Sequence, residues 1–391
     1  MKRIPDDLDL GTLKRGFDLD PKRSASLPGR AYVEPIFFDI EREAVFSRNW
    51  LYVCHVEQLR KPGDYFAFEV LGQPLFAVRS HGGELRAFYN VCQHRAHALV
   101  EGSGNKQLIV CPYHAWAYRL DGRLQAARHT EYMDNFDLDS ICLKSVRIEA
   151  FCEFVFVNLD SAAPPLADLG AGFADEIRHW APDLEKLTRA HRITYEIRSN
   201  WKNVVDNYLE CYHCPVAHKA FVDLFDMNTY KVTCHDVYSS HIARAASKQS
   251  NAAYNIAGAA VQDHAVWWMW PTFCLLRYPG DGNLMLLNIV PGGPEITYET
   301  YEFFFLNSEP TAEQREQIDY MDKVLQREDI DIVESIQRGM NTPAYDRGRY
   351  VVDPKGSGLS EHGLHHFHRL IFQAYESYVA GSLRDRQTKR A

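Results

Sequence analysis

Two short segments, each combining one cysteine with one histidine, constrain the fold most strongly. The first is Cys92-Gln93-His94-Arg95, the second is Cys111-Pro112-Tyr113-His114, and residues 95–110 separate them. Each segment supplies one thiolate and one imidazole from a tight loop. The ligand pairs therefore face a common metal group, and the surrounding chain has to hold both loops in place.

Two cysteines on one iron and two histidines on the other define a Rieske [2Fe–2S] centre. The neutral imidazoles raise the reduction potential to about −150 to +300 mV, against about −400 mV for all-cysteine plant-type clusters. A Cys₂His₂ zinc site is the structural alternative. Zinc-finger spacing pairs cysteine with cysteine, whereas each loop here carries one cysteine and one histidine, so the pattern favours the cluster. The glycines 102 and 104 and the aromatic residues at 113, 116 and 118 suit loops packed over it.

The chain around these loops has the pattern of a small all-β module. Strand-like runs occur at 64–70, 74–79 and 85–91, and turn signals at 62–63, 72–74, 82–83 and 121–122 separate the runs. An amphipathic helix is predicted just before this module, from Glu34 to Trp50, with Pro35 near its start.

A second metal signature lies between Asn200 and His218. Two imidazoles and a distant carboxylate are the ligand set of a non-haem Fe(II) oxygenase, and His213 and His218 supply the imidazoles. Glu210 would share a helix face with His213. The two histidines lie about 140° apart on an ideal helix, so we expect a break near Pro215 to bring their rings together.

The third ligand is ambiguous on residue pattern alone. Acidic residues crowd one helical stretch, at 328, 329, 331 and 334. Asp329 shares a mostly apolar face with Val333 and Ile336, where an unpaired carboxylate is costly unless it binds a cation. The alternative is that all four residues form a solvated acidic face.

The rest of the chain alternates between strand and helix patterns. Residues 160–200 predict a polar helical connection, including helices at 173–180 and 183–192. Strand patterns follow at 230–235, 241–245, 265–270, 273–278, 284–290 and 298–306. A long amphipathic helix is predicted from Thr311 to about Arg338.

Length, charge and cysteine usage narrow the class of protein. The chain has 391 residues, a net charge of −9 and nine cysteines. This length suits two domains, and the negative charge argues against a nucleic-acid surface. No apolar run is long enough for a membrane span, and the first residues lack the apolar core of a secretory signal. An odd cysteine count without small-scaffold spacing favours free or metal-bound thiols in a reducing cytoplasm.

With both motifs in view, the chain resembles the catalytic α-subunit of a Rieske non-haem iron oxygenase from about Phe37 to the region of His366. It is most similar to the carnitine and choline monooxygenase-like group. The matching segments are the two cluster loops, residues 200–202, 206–218 and 327–339, and the tail pattern at 357–363.

This resemblance implies that His213, His218 and Asp329 bind the mononuclear iron. It also implies a homotrimer in which one subunit's cluster serves the next subunit's iron, with Glu210 as the bridge between them. Asn207 would orient the side chains around the iron, although a plain helix-surface role is equally consistent with its position. The family's linking carboxylate is often Asp, where this chain has Glu210.

The predicted fold is α+β in two parts. An all-β Rieske domain occupies 46–160, and a catalytic domain of helix-grip type, an antiparallel sheet around a long helix, occupies 161–391. The segment 1–45 is expected to pack on the catalytic domain. The resemblance implies the helix-grip arrangement, which agrees with the strand and helix patterns above.

The predicted reaction is reductive activation of O2, with one oxygen atom entering the substrate. The chain has no Gly-rich dinucleotide fingerprint after a strand, so electrons are expected from a separate NAD(P)H-dependent flavin/iron–sulfur reductase. The expected substrate is a small quaternary ammonium or betaine-type compound, oxidised by monooxygenation with N-demethylation or C–N cleavage. Aromatic faces attract such cations by about 0.5–2 kcal/mol each.

Aromatic residues that would bind a quaternary ammonium group cluster late in the chain, at 267, 268, 270, 278 and 303–305. The same residues would suit a hydrophobic core, or a flat ring in an aromatic-ring-hydroxylating dioxygenase. Arg244 or Arg277 would hold a substrate carboxylate, or form an ordinary ion pair.

Two further interpretations remain open at this point. The spacing of Cys211 and Cys214 is that of a redox or zinc pair. A Rieske electron-transfer protein without oxygenase activity would leave the residues after Asp160 without a role. An oxygenase should hold about three irons per chain and a carrier about two, so metal analysis separates them.

Overall fold

The computed structural model describes residues 10–246, 253–254, 261–280 and 282–388, with side chains described up to residue 381. The chain divides into two compact units. One comprises Met1–Val45 together with Asp175–Ala391, and the other comprises Phe46–Ala174. Within the described residues, no helix combines the length and apolar character needed to cross a membrane.

The unit Phe46–Ala174 is built from antiparallel strands, as the alternating runs predict. A seven-stranded sheet has the order β1-β10-β9-β4-β3-β2-β5, and a small sheet has the order β6-β7-β8. The strands are β1 Leu51–His55, β2 Asp64–Val70, β3 Gln73–Arg79, β4 Leu85–Tyr89, β5 Ser103–Asn105, β6 Ile109–Val110, β7 Ala117–Tyr118, β8 Leu124–Ala126, β9 Ser145–Phe151 and β10 Phe154–Asn158. Both cysteine–histidine loops project from this scaffold, one after β4 and the other between β6 and β7.

The larger unit contains a second antiparallel sheet of seven strands, in the order β11-β17-β16-β15-β14-β13-β12. Its strands are β11 Thr188–Ile197, β12 Lys231–Cys234, β13 Tyr238–Ala243, β14 His264–Met269, β15 Phe273–Arg277, β16 Leu284–Gly293 and β17 Ile296–Phe305. The six strand patterns predicted after residue 230 are confirmed.

The predicted helix at 183–192 is wrong. Only a 3₁₀ turn, Leu184–Lys186, is helical there, and β11 begins at Thr188. β11 pairs along its length with β17, from Thr188 opposite Phe305 to Ile197 opposite Thr297. Tertiary pairing therefore overrides the local polar pattern, and the β-branched and aromatic residues at 193–195 suit the strand.

The helices of the chain lie mostly in the larger unit. They are α1 Leu10–Leu13, α2 Arg30–Val33, α3 Pro35–Glu41, α4 Leu166–Leu169, α5 Phe173–Trp180, α6 Trp201–Tyr208, α7 Cys214–Ala217, α8 Lys219–Val222, α9 Ala312–Tyr320, α10 Gln326–Met340 and α11 His362–Thr388. The helix predicted from Glu34 begins at Pro35 and continues as a π-turn, Arg42–Phe46.

The long helix predicted from Thr311 is present, with a π-turn at Met321–Leu325 between α9 and α10. Thr311 caps it through a capping box, because its side chain accepts from the Gln314 amide while the Gln314 side chain accepts from the Thr311 amide. The C-terminal helix α11 was missed, since its histidine-rich start has no clear apolar periodicity.

A buried charge network joins the N-terminal helix α3 to α6 and α11. Glu41 and Lys202 are both fully buried, with Lys202 Nζ 2.6 Å from Glu41 Oε1. Trp201 Nε1 donates to the other carboxylate oxygen at 2.7 Å, and the Tyr375 hydroxyl also donates to Glu41. Burial lowers the pKa of Lys202 despite this partner. The network therefore holds helix α6 in place, and this helix leads into the segment that contains His213 and His218.

We predict that Glu41→Ala destabilises the protein by about 3–5 kcal/mol, because it leaves the Lys202 ammonium buried without its counter-charge. Glu41→Leu combined with Lys202→Met should recover much of that loss, since no charge then remains buried. Asp319→Ala is the matched control, because its ion pair with Lys323 is exposed and is expected to change stability by less than about 1 kcal/mol. Chemical denaturation of the three variants measures the differences, and equal losses for Glu41 and Asp319 would contradict the account.

Candidate active site

Helix α6 delivers the residues of the second metal signature to the edge of a cavity. Asn200 caps this helix by accepting from the Lys202 amide at 3.0 Å. The helix ends at Tyr208, so Glu210 and His213 lie in the following turn and do not share a helix face. The expected break therefore occurs earlier than Pro215, which sits instead in the first turn of α7.

Glu210 organises this turn through both carboxylate oxygens. Oε2 accepts from the backbone amides of Tyr212 and His213, while Oε1 lies 2.5 Å from His213 Nδ1. A carboxylate on Nδ1 leaves Nε2 as the atom available to a metal and fixes the ring orientation. Asn207 extends the arrangement, since its Nδ2 lies 3.4 Å from His213 Nε2.

His218 stands at the junction between α7 and α8, with φ −117° and ψ 62°. This non-helical residue turns its ring back toward His213, so that the ring centroids are 5.0 Å apart and the two Nε2 atoms 3.1 Å apart. The five-residue spacing that forbids convergence on one ideal helix is thus accommodated by the junction between two short helices.

Asp329 reaches the same point from the first turn of α10. Its Oδ1 lies 2.9 Å from His218 Nε2 and 3.7 Å from His213 Nε2. One ligand atom from each of His213, His218 and Asp329 lies within 4.8 Å of the others, as a metal site requires. Two imidazoles and one carboxylate on one side leave further coordination positions open, which suits non-haem Fe(II).

Glu328 contacts the other ring nitrogen of His218, not the one that Asp329 contacts. Its Oε2 lies 2.7 Å from His218 Nδ1, on the side of the ring away from Asp329. Burial lowers the pKa of His218, but the hydrogen bonds and charges of Asp329 and Glu328 outweigh that effect and raise it. The carboxylates that favour a protonated ring favour any cation at this point.

A cavity lies directly over the three converging atoms. Its walls are largely aromatic and aliphatic and include Phe221, Tyr230, Tyr278 and Tyr301, with one buried carboxylate, Glu299. Sequence reasoning missed Glu299, Tyr230 and the buried imidazole of His264, which also lines the cavity. Strand alternation around Tyr301 is the signal from which Glu299 was recoverable, since residues two apart share a face.

The tryptophan cluster is core and does not line the cavity. Trp267 and Trp268 are fully buried and donate to Glu176 and to the Pro271 carbonyl, respectively. Of the aromatic residues proposed from sequence, only Tyr278 lies on the cavity wall. The two arginines considered for a substrate carboxylate are also elsewhere, because Arg277 pairs with Asp183 at 3.2 Å and Arg244 is exposed.

The two cysteine–histidine loops of the other unit adopt matching conformations. Ala96 and Ala115 each take φ 58°, and their amides donate to the carbonyls of Cys92 and Cys111. Non-glycine residues rarely adopt positive φ, so both loops are held tightly. Cys92 and Cys111 are buried in the hydrophobic core of this unit.

The histidines of these loops face each other across the loop ends. The rings of His94 and His114 have centroids 4.7 Å apart, and His94 stacks on Trp116 at 4.8 Å. Nδ1 of His114 is buried and has no hydrogen-bond partner. A buried, unpartnered imidazole nitrogen beside two buried thiols fits a metal ligand, so this donor set suits an iron–sulfur cluster.

One cysteine pair departs from the expectation of free thiols. Cys211 and Cys214 form a disulfide beside His213, whereas the seven other cysteines are free. The expectation of free or metal-bound thiols is therefore wrong for this pair. The bond consumes both sulfurs, so a zinc site at this position is excluded as well.

Comparison with protein families agrees with the two-part organisation. The Rieske [2Fe-2S] domain family matches residues 49–137, and the ring hydroxylating alpha subunit (catalytic domain) family matches residues 184–377. The chain belongs to the Rieske non-haem iron oxygenases.

Related proteins extend over nearly the whole chain. The carnitine monooxygenase oxygenase subunit of Escherichia coli (strain K12) is 37% identical over 93% of this chain and 97% of its own length. Chloroplastic choline monooxygenase of Spinacia oleracea is 31% identical over 90% of this chain and 78% of its own length.

Solved structures show the same architecture. The quaternary ammonium Rieske monooxygenase CntA in complex with L-carnitine superposes with a TM-score of 0.84 at 33% identity, covering 95% of this chain and 100% of that chain. Naphthalene 1,2-dioxygenase from Rhodococcus sp. shares the fold, with a TM-score of 0.79 at 18% identity, over 95% of this chain and 99% of that chain.

The predicted fold class, enzyme class and cofactors are thereby confirmed. The protein is a Rieske-type oxygenase that uses a [2Fe–2S] cluster and a mononuclear iron. As the oxygenase subunit of such a system, it requires a reductase partner. A Rieske electron carrier without oxygenase activity is excluded, because the catalytic domain and its His/Asp site are both present.

Proposed function

We propose that this protein is a terminal oxygenase that oxidises a small quaternary ammonium compound of the betaine type. The observation that carries the proposal is the convergence of His213, His218 and Asp329 at the base of an aromatic cavity. Aromatic ring faces attract a quaternary ammonium group, which cannot donate hydrogen bonds. The relatives named for carnitine and choline support the same substrate class.

His213, His218 and Asp329 would hold the mononuclear iron, and Cys92, His94, Cys111 and His114 would hold the cluster. When bound, these groups supply reducing electrons and a site for O2. The protein's own contribution is orientation: Glu210 fixes His213 through Nδ1, and Glu328 fixes His218 through Nδ1. Both imidazoles then present Nε2 to one point.

The cavity residues determine what approaches that point. Tyr230, Tyr278 and Phe221 cover it with ring surface, and Val266, Leu276 and Leu287 add aliphatic surface. Such walls exclude bulk water and favour a compact, weakly hydrated group with a methyl surface, such as a trimethylammonium head, next to the open coordination positions. Oxidation of a methyl group or of the adjacent carbon is the reaction that this placement allows.

We propose that the active form is a homotrimer in which Glu210 links neighbouring active centres. Glu210 and His213 also line a second cavity, together with Asp206, Tyr350 and His368. A neighbouring subunit's cluster domain would approach Glu210 through that cavity, so that this carboxylate hydrogen-bonds an iron ligand and a cluster ligand at once. Asn207 would help to orient the side chains around the iron, since its amide lies beside His213.

The reductase partner in this proposal is an NAD(P)H-dependent flavin/iron–sulfur protein, and the compartment is the cytoplasm. The redox groups of this reductase would pass electrons to the cluster from outside the polypeptide. The family assignment supports the need for such a partner.

Product analysis tests the function. Iron-replete protein, a surrogate NADH-dependent reductase and O2 would be given trimethylammonium acids, choline and simple aromatic compounds. We expect oxidation of a trimethylammonium acid, with an amine or an aldehyde released. Phenols or aromatic diols without turnover of any ammonium compound would contradict the proposal and favour ring hydroxylation, the alternative considered from sequence.

Neighbouring acidic residues give a sharp test of the iron site. Asp329→Asn should reduce the iron content from about three to about two per chain, since only the cluster irons remain. Glu328→Gln is the matched control and should keep about three irons, with the mononuclear iron bound about 10–100-fold more weakly because His218 loses its orienting partner. Iron analysis before and after dialysis against a chelator measures both effects. Retention of about three irons by Asp329→Asn would contradict the assignment.

Tyr118 provides a test of the cluster ligands. Its hydroxyl accepts from the Gln93 amide at 3.0 Å and lies 3.3 Å from Cys92 Sγ, and burial raises its pKa, which keeps the phenol protonated. A thiolate that binds the cluster can only accept, so the phenol would then donate to the sulfur. Tyr118→Phe should lower the cluster potential by about 50 mV, because a hydrogen bond to sulfur favours the reduced cluster by about 1 kcal/mol. A redox titration followed by EPR measures this. The exposed Tyr132 supplies the control variant Tyr132→Phe, and equal potentials for all three proteins would contradict ligation by Cys92.

A further inference from the structure

The cavity over the iron site contains a carboxylate that the proposed iron chemistry does not use. Glu299 is 4% exposed and lines the cavity, and its described hydrogen bond comes from the neutral amide of Gln326. Among the residues that the structure describes, no lysine or arginine forms an ion pair with Glu299. An ionised carboxylate is costly to bury without a cation, so Glu299 would ionise only when a cation from outside the chain joins it.

Glu299 lies at the end of the cavity that is near the iron site. Gln326, its hydrogen-bond partner, precedes Asp329 by three residues on α10, so the two side chains lie on neighbouring turns of one helix face. Burial raises the pKa of Glu299 to about 8, and the charge of Asp329 adds to this. A cation bound next to Glu299 would favour its ionised form.

A second unused polar group, His264, lies among the aromatic residues of the wall. The His264 ring is fully buried, and its centroid lies 5.0 Å from that of Tyr278 and 5.8 Å from that of Phe221. Neither ring nitrogen has a hydrogen-bond partner. Burial lowers the pKa of His264 to about 3, so the ring is neutral and carries one N–H donor and one acceptor.

We propose that Glu299 and His264 together select a zwitterionic substrate, with Glu299 as the counter-charge of the quaternary ammonium group and His264 as the hydrogen-bond partner of the substrate's carboxylate or hydroxyl group. This inference rests on the proposed function and deepens it. It explains why a buried carboxylate with no ion-pair partner among the described residues and a buried imidazole with no hydrogen-bond partner line one largely apolar cavity.

The chemistry of the cavity wall supports this division of roles. A trimethylammonium head needs a negative charge and ring faces but no hydrogen-bond donor, and Glu299 with Tyr301 on the same face of β17 meets that need. A carboxylate or hydroxyl tail needs a donor. Among the described residues, no lysine or arginine lines this cavity, so the N–H of His264 is a donor of the required kind.

Three ligands of similar shape separate the two roles. The first is a trimethylammonium acid, the second is the acid in which a tert-butyl group replaces the trimethylammonium group, and the third is butyltrimethylammonium, which lacks the carboxylate. Isothermal titration calorimetry with iron-replete protein, under anaerobic conditions, would measure binding of each ligand to the wild type, Glu299→Gln and His264→Phe. The phenylalanine keeps an aromatic ring at this position and removes the hydrogen-bonding nitrogen atoms of His264.

The expected result is a crossed pattern. Glu299→Gln should weaken both trimethylammonium ligands by about 30-fold or more and leave the tert-butyl acid within about twofold. His264→Phe should weaken both acids by about tenfold or more and leave butyltrimethylammonium within about twofold. Glu302→Gln is the control, because Glu302 lies on the other face of β17 and pairs with Arg189 at 3.0 Å. This variant should bind all three ligands as the wild type does.

Other outcomes overturn the inference. Equal losses for all three ligands would show that Glu299 and His264 only support the fold, and unchanged affinities would show that neither meets the substrate. Iron content and thermal melting of each variant distinguish unfolding from a binding defect. A wild type that binds neither trimethylammonium ligand would contradict the proposed function itself, whereas a wild type that binds both without the crossed pattern contradicts only this inference.

Discussion

The imidazole of His218 is held from both sides, and the rest of the site depends on this arrangement. Glu328 contacts Nδ1 at 2.7 Å and Asp329 contacts Nε2 at 2.9 Å, both from the first turn of α10. Two adjacent carboxylates of one helix thus fix the ring in orientation and surround it with negative charge. His213 meets the same point only because Glu210 holds its Nδ1 in the turn after α6. Each imidazole therefore has its Nδ1 held by a glutamate, while its Nε2 faces the point where Asp329 also arrives.

The helices that carry these groups are positioned by the larger unit as a whole. α6 is anchored at its start by the buried pair of Glu41 and Lys202, and α10 packs on the same region through Gln337, which accepts from the Asn200 amide at 2.8 Å. Because α6 and α10 come from distant parts of the chain, the convergence of His213, His218 and Asp329 depends on tertiary packing. A site whose three ligands come from the turn after α6, the junction of α7 and α8, and α10 can be kept rigid while the cavity above it remains open to substrate.

Sequence patterns predicted the metal-binding loops and most strands because those features are local. The cysteine–histidine spacing, the apolar and aromatic runs of β14 to β17 and the capping box at Thr311 all depend on neighbouring residues. β11 was predicted as a helix because its pairing with β17 spans more than a hundred residues. The roles assigned to Glu210 and Asn207 remain predictions, although both side chains lie beside His213. His264 was missed because an isolated His in a strand carries no sequence signal, and Glu299 was missed because strand alternation alone does not show which face of β17 lines the cavity. Their importance appears only when the burial of both groups, the lack of an ion-pair partner for Glu299 among the described residues and the lack of a hydrogen-bond partner for His264 are known.

One spectroscopic measurement tests the central claim, that the iron held by His213, His218 and Asp329 faces a cavity for a quaternary ammonium substrate. Nitric oxide would be bound to the reduced mononuclear iron, and the EPR signal of that complex would be recorded with and without added ligands. The account predicts that a trimethylammonium acid changes the signal at concentrations where benzoate does not. A change caused by benzoate alone, or no change with any trimethylammonium compound, would contradict the account.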